Sequence, residues 1–181
     1  MLQITVTIEP EKYDEAREEF VPAKTQTLQL EHSLVSISKW ESKWCKSFLS
    51  GGEKTVEETI DYIKCMTLTQ NVKPEIYEKL NSENITEVNK YIEAPMTATY
   101  FNEPNKGKGG REIITSELIY YWMISLNIPF ECKKWHLNRL LTLIRVCSIK
   151  NSPPKKMSKS EIMSRNTALN AARRKQYNTK G

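Results

Sequence analysis

Cys132 and His136 stand four residues apart, a spacing that sets two side chains on one face of a helix and offers half of a metal site. A structural zinc takes four such ligands and a catalytic one three, and no second pair lies nearby in sequence. Cys45, Cys65 and Cys147 are scattered and form no Cys-x-x-Cys pair, which reads as reduced, structural thiols. A nucleophilic Cys–His pair would require Cys45 or Cys147 to meet one of the two histidines in space, and nothing in the spacing promotes that. Carboxylates cluster at Glu18-Glu19 and Glu57-Glu58, where turns and first helical turns favour acids. Neither cluster lies on an apolar wall that would raise a pKa for acid–base work. Lys39, Lys43 and Lys46 interleave with Trp40 and Trp44, yet at helical spacing the lysines should mostly point elsewhere. These tryptophans, with Tyr120, Tyr121, Trp122 and Trp135, read as core rather than as a platform for stacking bases. The expectation is a protein without catalytic residues, metal or cofactor.

Charge is distributed very unevenly. Residues 150–181 carry nine lysines and arginines against one acid, Glu161, a net +8, whereas the whole chain is +5. Residues 1–149 therefore sum to −3. A mildly acidic body ending in a basic, proline-interrupted arm implies a partner. Lys155, Lys156, Arg165, Arg173, Arg174 and Lys175 are the candidate partner-binding residues. Phosphates of a nucleic acid and an acidic protein surface are both open on charge alone, but no helix-turn-helix spacing or aromatic RNA-binding strand is present. The opposite signs of body and arm also make head-to-tail self-association an expectation.

The elements that must position these residues follow from periodicity. Six glycines in 181 residues argue against a sandwich or barrel. Leu2, Ile4, Val6 and Ile8 alternate with polar residues as in a half-buried strand that Pro10 ends, and Leu28 and Leu30 mark a second. Residues 13–22 between them are charged and turn-like, with Phe20 and Val21 as a third extended stretch. Leu34, Ile37, Trp40, Trp44 and Phe48 form one helical stripe, broken by Gly51-Gly52. A capping box at Thr55 and Glu58 opens a helix with Val56, Ile60, Ile63 and Met66 inward. Pro74 starts a short helix, and Asn84 with Glu87 caps another that Pro95 stops. Residues 102–111 read as a flexible loop. Thr115 caps a helix over 116–126 that is apolar nearly all round, the pattern of a central core helix. Pro129 separates it from a long helix beginning near Lys133, with Leu137, Leu140, Leu141 and Ile144 inward. Ser158 and Glu161 cap a last, weakly apolar helix reaching about Gln176. The fold class is thus mainly α (α+β): a small N-terminal β-hairpin or meander on a bundle of about five or six helices, with a projecting basic C-terminal helix. The division is 1–149 for the body and 150–181 for linker and arm. The longest apolar run, residues 118–123, is far short of the roughly 20 residues of a membrane span, so the chain is expected to be soluble.

Several blocks carry a resemblance: Leu34-Val-Ser-Ile-Ser-Lys-Trp-Glu-Ser-Lys-Trp44, Asp61-Tyr-Ile-Lys-Cys-Met-Thr-Leu68, Met96-Thr-Ala-Thr99, Ile113-Ile-Thr-Ser-Glu-Leu-Ile-Tyr-Tyr-Trp-Met123, Lys134-Trp-His-Leu-Asn-Arg-Leu-Leu141 and the ending Asn170-Ala-Ala-Arg-Arg-Lys-Gln-Tyr-Asn-Thr-Lys-Gly181. Together they resemble the tail assembly chaperones of long-tailed, non-contractile bacteriophages and prophages, over about residues 2 to 181. The Ser-Lys-Trp-Glu and Trp-His-Leu-Asn-Arg blocks are the specific parts. The resemblance implies a non-enzymatic protein of the host bacterial cytoplasm that coats the tape-measure protein and helps tail-tube subunits polymerise around it. The alternatives are a virion-associated tail or neck protein, and a nucleic-acid-binding phage protein that uses the basic arm.

Overall fold

The computed structural model describes residues 1–15, 18–101, 113–153 and 158–179. The chain is mainly helical with a small antiparallel β-element at its N-terminus. It divides into two compact units, Met1–Ser148 and Ile149–Gly181. The loop expected over 102–111, and Lys155 and Lys156, lie outside the described residues.

The β-element is nested. β1 (Leu2–Glu9) pairs antiparallel with β4 (Lys24–Leu30), placing Ile4 opposite Leu28 and Leu2 opposite Leu30. Inside that pairing, β2 (Lys12–Asp14) pairs with β3 (Glu19–Val21). Pro10 and Pro22 sit at the break between the two ladders, where a residue without a backbone N–H cannot continue the bonding. Alternation buries Ile4, Val6, Leu28 and Leu30 on one face and leaves threonines and glutamines on the other. Residues 67–69 extend the β4 edge, as Leu68 N–H donates to the Gln29 carbonyl at 2.8 Å. The β1 edge is blunted by side chains: Asn84 donates to the Thr5 carbonyl at 3.3 Å and Lys79 to that of Ile8 at 2.5 Å.

The buried face shares one core with α1 (Leu34–Trp44), α2 (Val56–Met66), the single turn α3 (Glu75–Glu78), α4 (Ser82–Glu93), α5 (Ser116–Ser125), a 3-10 turn (Phe130–Lys134) and the first part of α6 (Leu137–Asn151). Leu34, Ile37, Trp40, Ile63, Met66, Ile119, Met123, Leu137 and Leu140 are essentially inaccessible and make the centre of the core. Side-chain caps define the helix starts: Ser33 with Ser36 on α1, and Thr55 with Glu58 on α2, each close a reciprocal box. In the second unit, α7 (Lys159–Tyr177) opens on the Ser158–Glu161 box, ends on Asn178 in the left-handed conformation, and has no buried residue.

Five expectations are corrected. α1 stops at Trp44 instead of continuing through Phe48, because Cys45 takes a left-handed conformation (φ 53°) and its N–H bonds back to Glu41. Phe48 still reaches the core by a turn, lying 5.2 Å edge-on to Trp40 and 4.0 Å from Tyr62 between ring centroids. Val56 is exposed at the first turn of α2, and Tyr62 fills the inward position. The α4 cap is Asn81, three residues before the expected Asn84, and its buried stripe is Asn84, Val88 and Tyr91. The stretch after Pro129 is a 3-10 turn, so the long helix begins at Leu137, where its N–H donates to the His32 carbonyl. Finally, α5 is not enclosed: Tyr121 and Ile124 are 62% and 60% exposed.

One carboxylate ties these pieces together. Glu41, buried on α1, accepts from Phe48 N–H at 2.8 Å and from Ser116 N–H, in the first turn of α5, at 2.7 Å. Replacing it by alanine strands two buried backbone donors, each worth about 1–3 kcal/mol when left unpaired. Glu41→Ala is therefore expected to lower unfolding free energy by about 3 kcal/mol. Equilibrium urea denaturation measures it, and a loss below about 0.5 kcal/mol, typical of an ordinary surface change, would refute the clamp.

Candidate partner-binding surfaces

The aromatic and basic cluster on α1 and α2 is a closed structural unit. Trp40 is buried, and its indole N–H donates to the Glu58 carbonyl at 2.9 Å. Trp44 stacks on it at 6.2 Å and donates to the Asp61 carboxylate at 3.0 Å. The lysines do not point elsewhere as spacing suggested. The Lys43 and Lys46 ammonium groups lie 5.7 and 5.9 Å from the Trp44 ring centroid. Lys43 also donates to Asp61, and Lys46 to the Glu58 carboxylate at 2.6 Å. Glu58, expected in an exposed first turn, is buried, with its carboxylate shared between Thr55 N–H and Lys46. The hydrogen bond from Lys46 holds its carboxyl below the usual range. Burial pushes the Asp61 carboxyl up, but hydrogen bonds from Lys43 and Trp44 outweigh it and leave it below its ordinary value. Cations already matched by carboxylates offer little to phosphates.

The two histidines, distant in sequence, meet in the core. Their ring centroids are 5.0 Å apart, edge to face. His32 Nδ1 lies 2.5 Å from the Tyr62 hydroxyl. Burial drives the Tyr62 pKa up, so the phenol keeps its proton and donates to the imidazole. His136 Nε2 faces the Tyr91 carbonyl at 3.0 Å, and its Nδ1 accepts from Asn138 N–H at 3.3 Å. Both nitrogens of His136 are thus engaged, with Nε2 bearing the proton. Cys132, buried in the 3-10 turn, forms no ligand set with it. Among the described residues no group of three or more His, Cys, Asp or Glu is placed to hold a metal ion.

Among the surfaces open to a partner are an apolar one on α5 and a cationic one on α7. On α5, Ser116, Ile119 and Met123 face inward, which turns Tyr121 and Ile124 outward one turn apart. Tyr120, half-buried, has its ring 6.5 Å from that of Phe130, itself 52% exposed in the 3-10 turn. On α7, Arg165, Arg173, Arg174 and Lys175 are exposed. Tyr121 had been read as core and is exposed instead, and sequence reasoning had not singled out Ile124 or Phe130. Their signal was a helix too apolar to show a polar face, followed directly by Pro129 and another aromatic. Among the described residues no helix is long and apolar enough to cross a membrane. Compared with protein families, curated proteins and solved structures, the chain matches none.

The histidine pair gives the protein an acid-sensitive core. Burial, and then the neighbouring His136, push the His32 pKa from its ordinary 6.5 down to about 3. Burial also lowers that of His136, partly offset by the Tyr91 carbonyl. His32 stays neutral in the folded chain, and His136 is shifted in the same direction, while the unfolded chain takes up protons below about pH 6.5. Stability is therefore complete above that pH and falls as the solution is acidified toward 3. His32 alone accounts for a loss of about 2 kcal/mol between pH 7.5 and pH 5. Urea midpoints across that interval test it; a midpoint that does not move would contradict a neutral buried pair.

Proposed function

We propose that this chain is a bacteriophage tail assembly chaperone, a non-enzymatic protein that binds the tape-measure protein transiently and aids assembly of the tail tube around it. The observation that carries the reading is the outward apolar face of α5, Tyr121 and Ile124, on the helix whose Tyr120 ring lies 6.5 Å from the exposed Phe130. Large contiguous apolar surface on a folded body is the physical mark of a binding face. A tape-measure protein is a long amphipathic helix, and such a helix docks its apolar stripe on an exposed hydrophobic surface. The blocks quoted from the sequence, Ser-Lys-Trp-Glu and Trp-His-Leu-Asn-Arg, support the same assignment. So does the way their aromatic residues are spent: Trp40 and Trp44 build the α1–α2 cluster, and Arg139 covers Trp135 at 4.3 Å. These are scaffold roles, fitting a protein whose work is done by its surface.

In this reading the helices between residues 34 and 149 act as one bundle, and the basic helix is an arm that reaches a partner, the tail-tube protein included. The protein works in the host cytoplasm during assembly and is absent from the finished particle. A permanent tail or neck component would instead be found in purified virions. A nucleic-acid-binding protein would lose its partner steeply as salt rises.

Ile124→Asp places a charge in the middle of the α5 face. As an exposed position it is expected to change stability by no more than about 0.5 kcal/mol. Co-expression with the large helical gene product of the same tail gene cluster, followed by pull-down, is expected to recover a complex with the unaltered protein and none with Ile124→Asp. Equal recovery of both, or recovery of neither, would count against the reading.

A further inference from the structure

The nested hairpin β2–β3 is an unusual surface. Every residue of β3 is exposed, and on β2 only Asp14 is partly covered. Tyr13 and Phe20 face each other across the ladder, 5.0 Å between ring centroids, and remain 51% and 69% exposed. A two-stranded ribbon of this kind is marginal in water by itself, and an exposed aromatic pair adds to its cost. The segment is also where the body keeps its negative charge. Residues 9–19 contain six acids against Lys12 and Arg17, a net −4, so the remainder of 1–149 sums to +1. Asp14 stands opposite Glu19 in the register, concentrating carboxylates at the tip. Beside them lies a hollow of about 380 Å³ with Tyr13, Val21, Glu9 and Glu15 in its lining.

The complementary surface is on this same sequence. Ile162, Arg165, Leu169 and Arg173 follow one another at spacings of three, four and four, a single stripe of α7 that alternates apolar and cationic side chains. Ile162 and Leu169 are 43% and 45% exposed. The C-terminal segment is +8 against −4 on the hairpin segment. Aliphatic side chains on the stripe suit the Tyr13–Phe20 pair and the hollow, and guanidinium groups suit both the carboxylates and the aromatic faces.

We propose that the β2–β3 hairpin of one copy binds the basic helix α7 of a second copy, so that the protein self-associates head to tail. Because the two surfaces differ, the contact is heterologous: each copy in a chain uses its hairpin on one neighbour and its α7 on another. This inference does not depend on the tape-measure assignment, since it concerns the protein alone.

Sedimentation of the full-length protein tests it. For the unaltered chain, mass is expected to rise with protein concentration at low salt and to fall back as salt screens the charges. Two surface variants, Glu15→Lys with Glu19→Lys on the hairpin and Arg165→Gln with Arg173→Gln on α7, are each expected to stay at the chain mass of 21.1 kDa. Mixed in equal amounts they hold one intact surface of each kind, and the mixture is expected to form a species of twice that mass and stop there. Circular dichroism and thermal melting confirm that both variants are folded. The proposal is overturned if the unaltered chain remains at 21.1 kDa throughout, if either variant alone associates as the unaltered chain does, or if the mixture stays at monomer mass. Association abolished by nuclease treatment would also overturn it, assigning the basic helix to nucleic acid.

Discussion

Two backbone N–H groups far apart in sequence, those of Phe48 and Ser116, share one buried carboxylate, that of Glu41. A carboxylate removed from water is tolerated only where donors replace its hydration, so both segments have to come to α1. On one side the bond closes the turn after Cys45 and brings Phe48 onto Trp40 and Tyr62. On the other it fixes the first turn of α5, helped by Ser47, whose hydroxyl donates to the Ile114 carbonyl at 2.6 Å. With Ser116 held inward, helical periodicity puts Ile119 and Met123 in the core and Tyr121 and Ile124 outside. The exposed apolar face is thus a consequence of where the carboxylate sits.

That dependence explains what could be read from the sequence and what could not. The strands β1 and β4 were legible because a period of two marks one buried face, and the capping boxes at Thr55 and Ser158 were legible because their chemistry is local. The orientation of α5 was not. A helix with apolar residues on every side has no polar face to indicate solvent, and its rotation depends on tertiary contacts such as the distant hydrogen bond from Ser116 to Glu41. The α4 cap was ambiguous for a related reason: Asn81 and Asn84 are both good capping residues. Asn84 is drawn inward to the Thr5 carbonyl of β1, a tertiary contact, which leaves the cap to Asn81. Of the second hairpin, the stretch at Phe20 and Val21 was legible, but β2 was not, because Pro10 looks like a terminator while here it only interrupts a ladder that resumes beyond it.

Of the proposed binding residues, the arm cations were visible as a charge run, whereas the apolar partners came only from the fold. The lysines on α1 show why charge alone is a poor guide. Lys43 and Lys46 belong to a basic stretch, but carboxylates on α2 hold both, and the tryptophan between them completes a neutral cluster. In the C-terminal segment the sequence supplies a single acid, Glu161, and it closes the Ser158 cap of its own helix. Pairing within the segment cannot balance a net +8, which leaves that charge to solvent and counterions or to a partner.

The two kinds of surface would act differently on a partner. Burying Tyr121, Ile124 and Phe130 yields a contact driven by removal of apolar area from water, with little dependence on salt. Charged contacts on exposed side chains add modest affinity but raise encounter rates and set orientation, and they weaken within the range of ionic strength found in cells. In the proposed role, a protein that coats a long helix and is later displaced by polymerising subunits would benefit from that division. There the apolar face would hold the helix, and the proposed charge contacts between copies, weak and exchangeable, would align neighbours. Were the arrangement reversed, with apolar contacts between copies and charged ones to the helix, the coat would be durable and its grip loose, the opposite of what release from a growing tube demands.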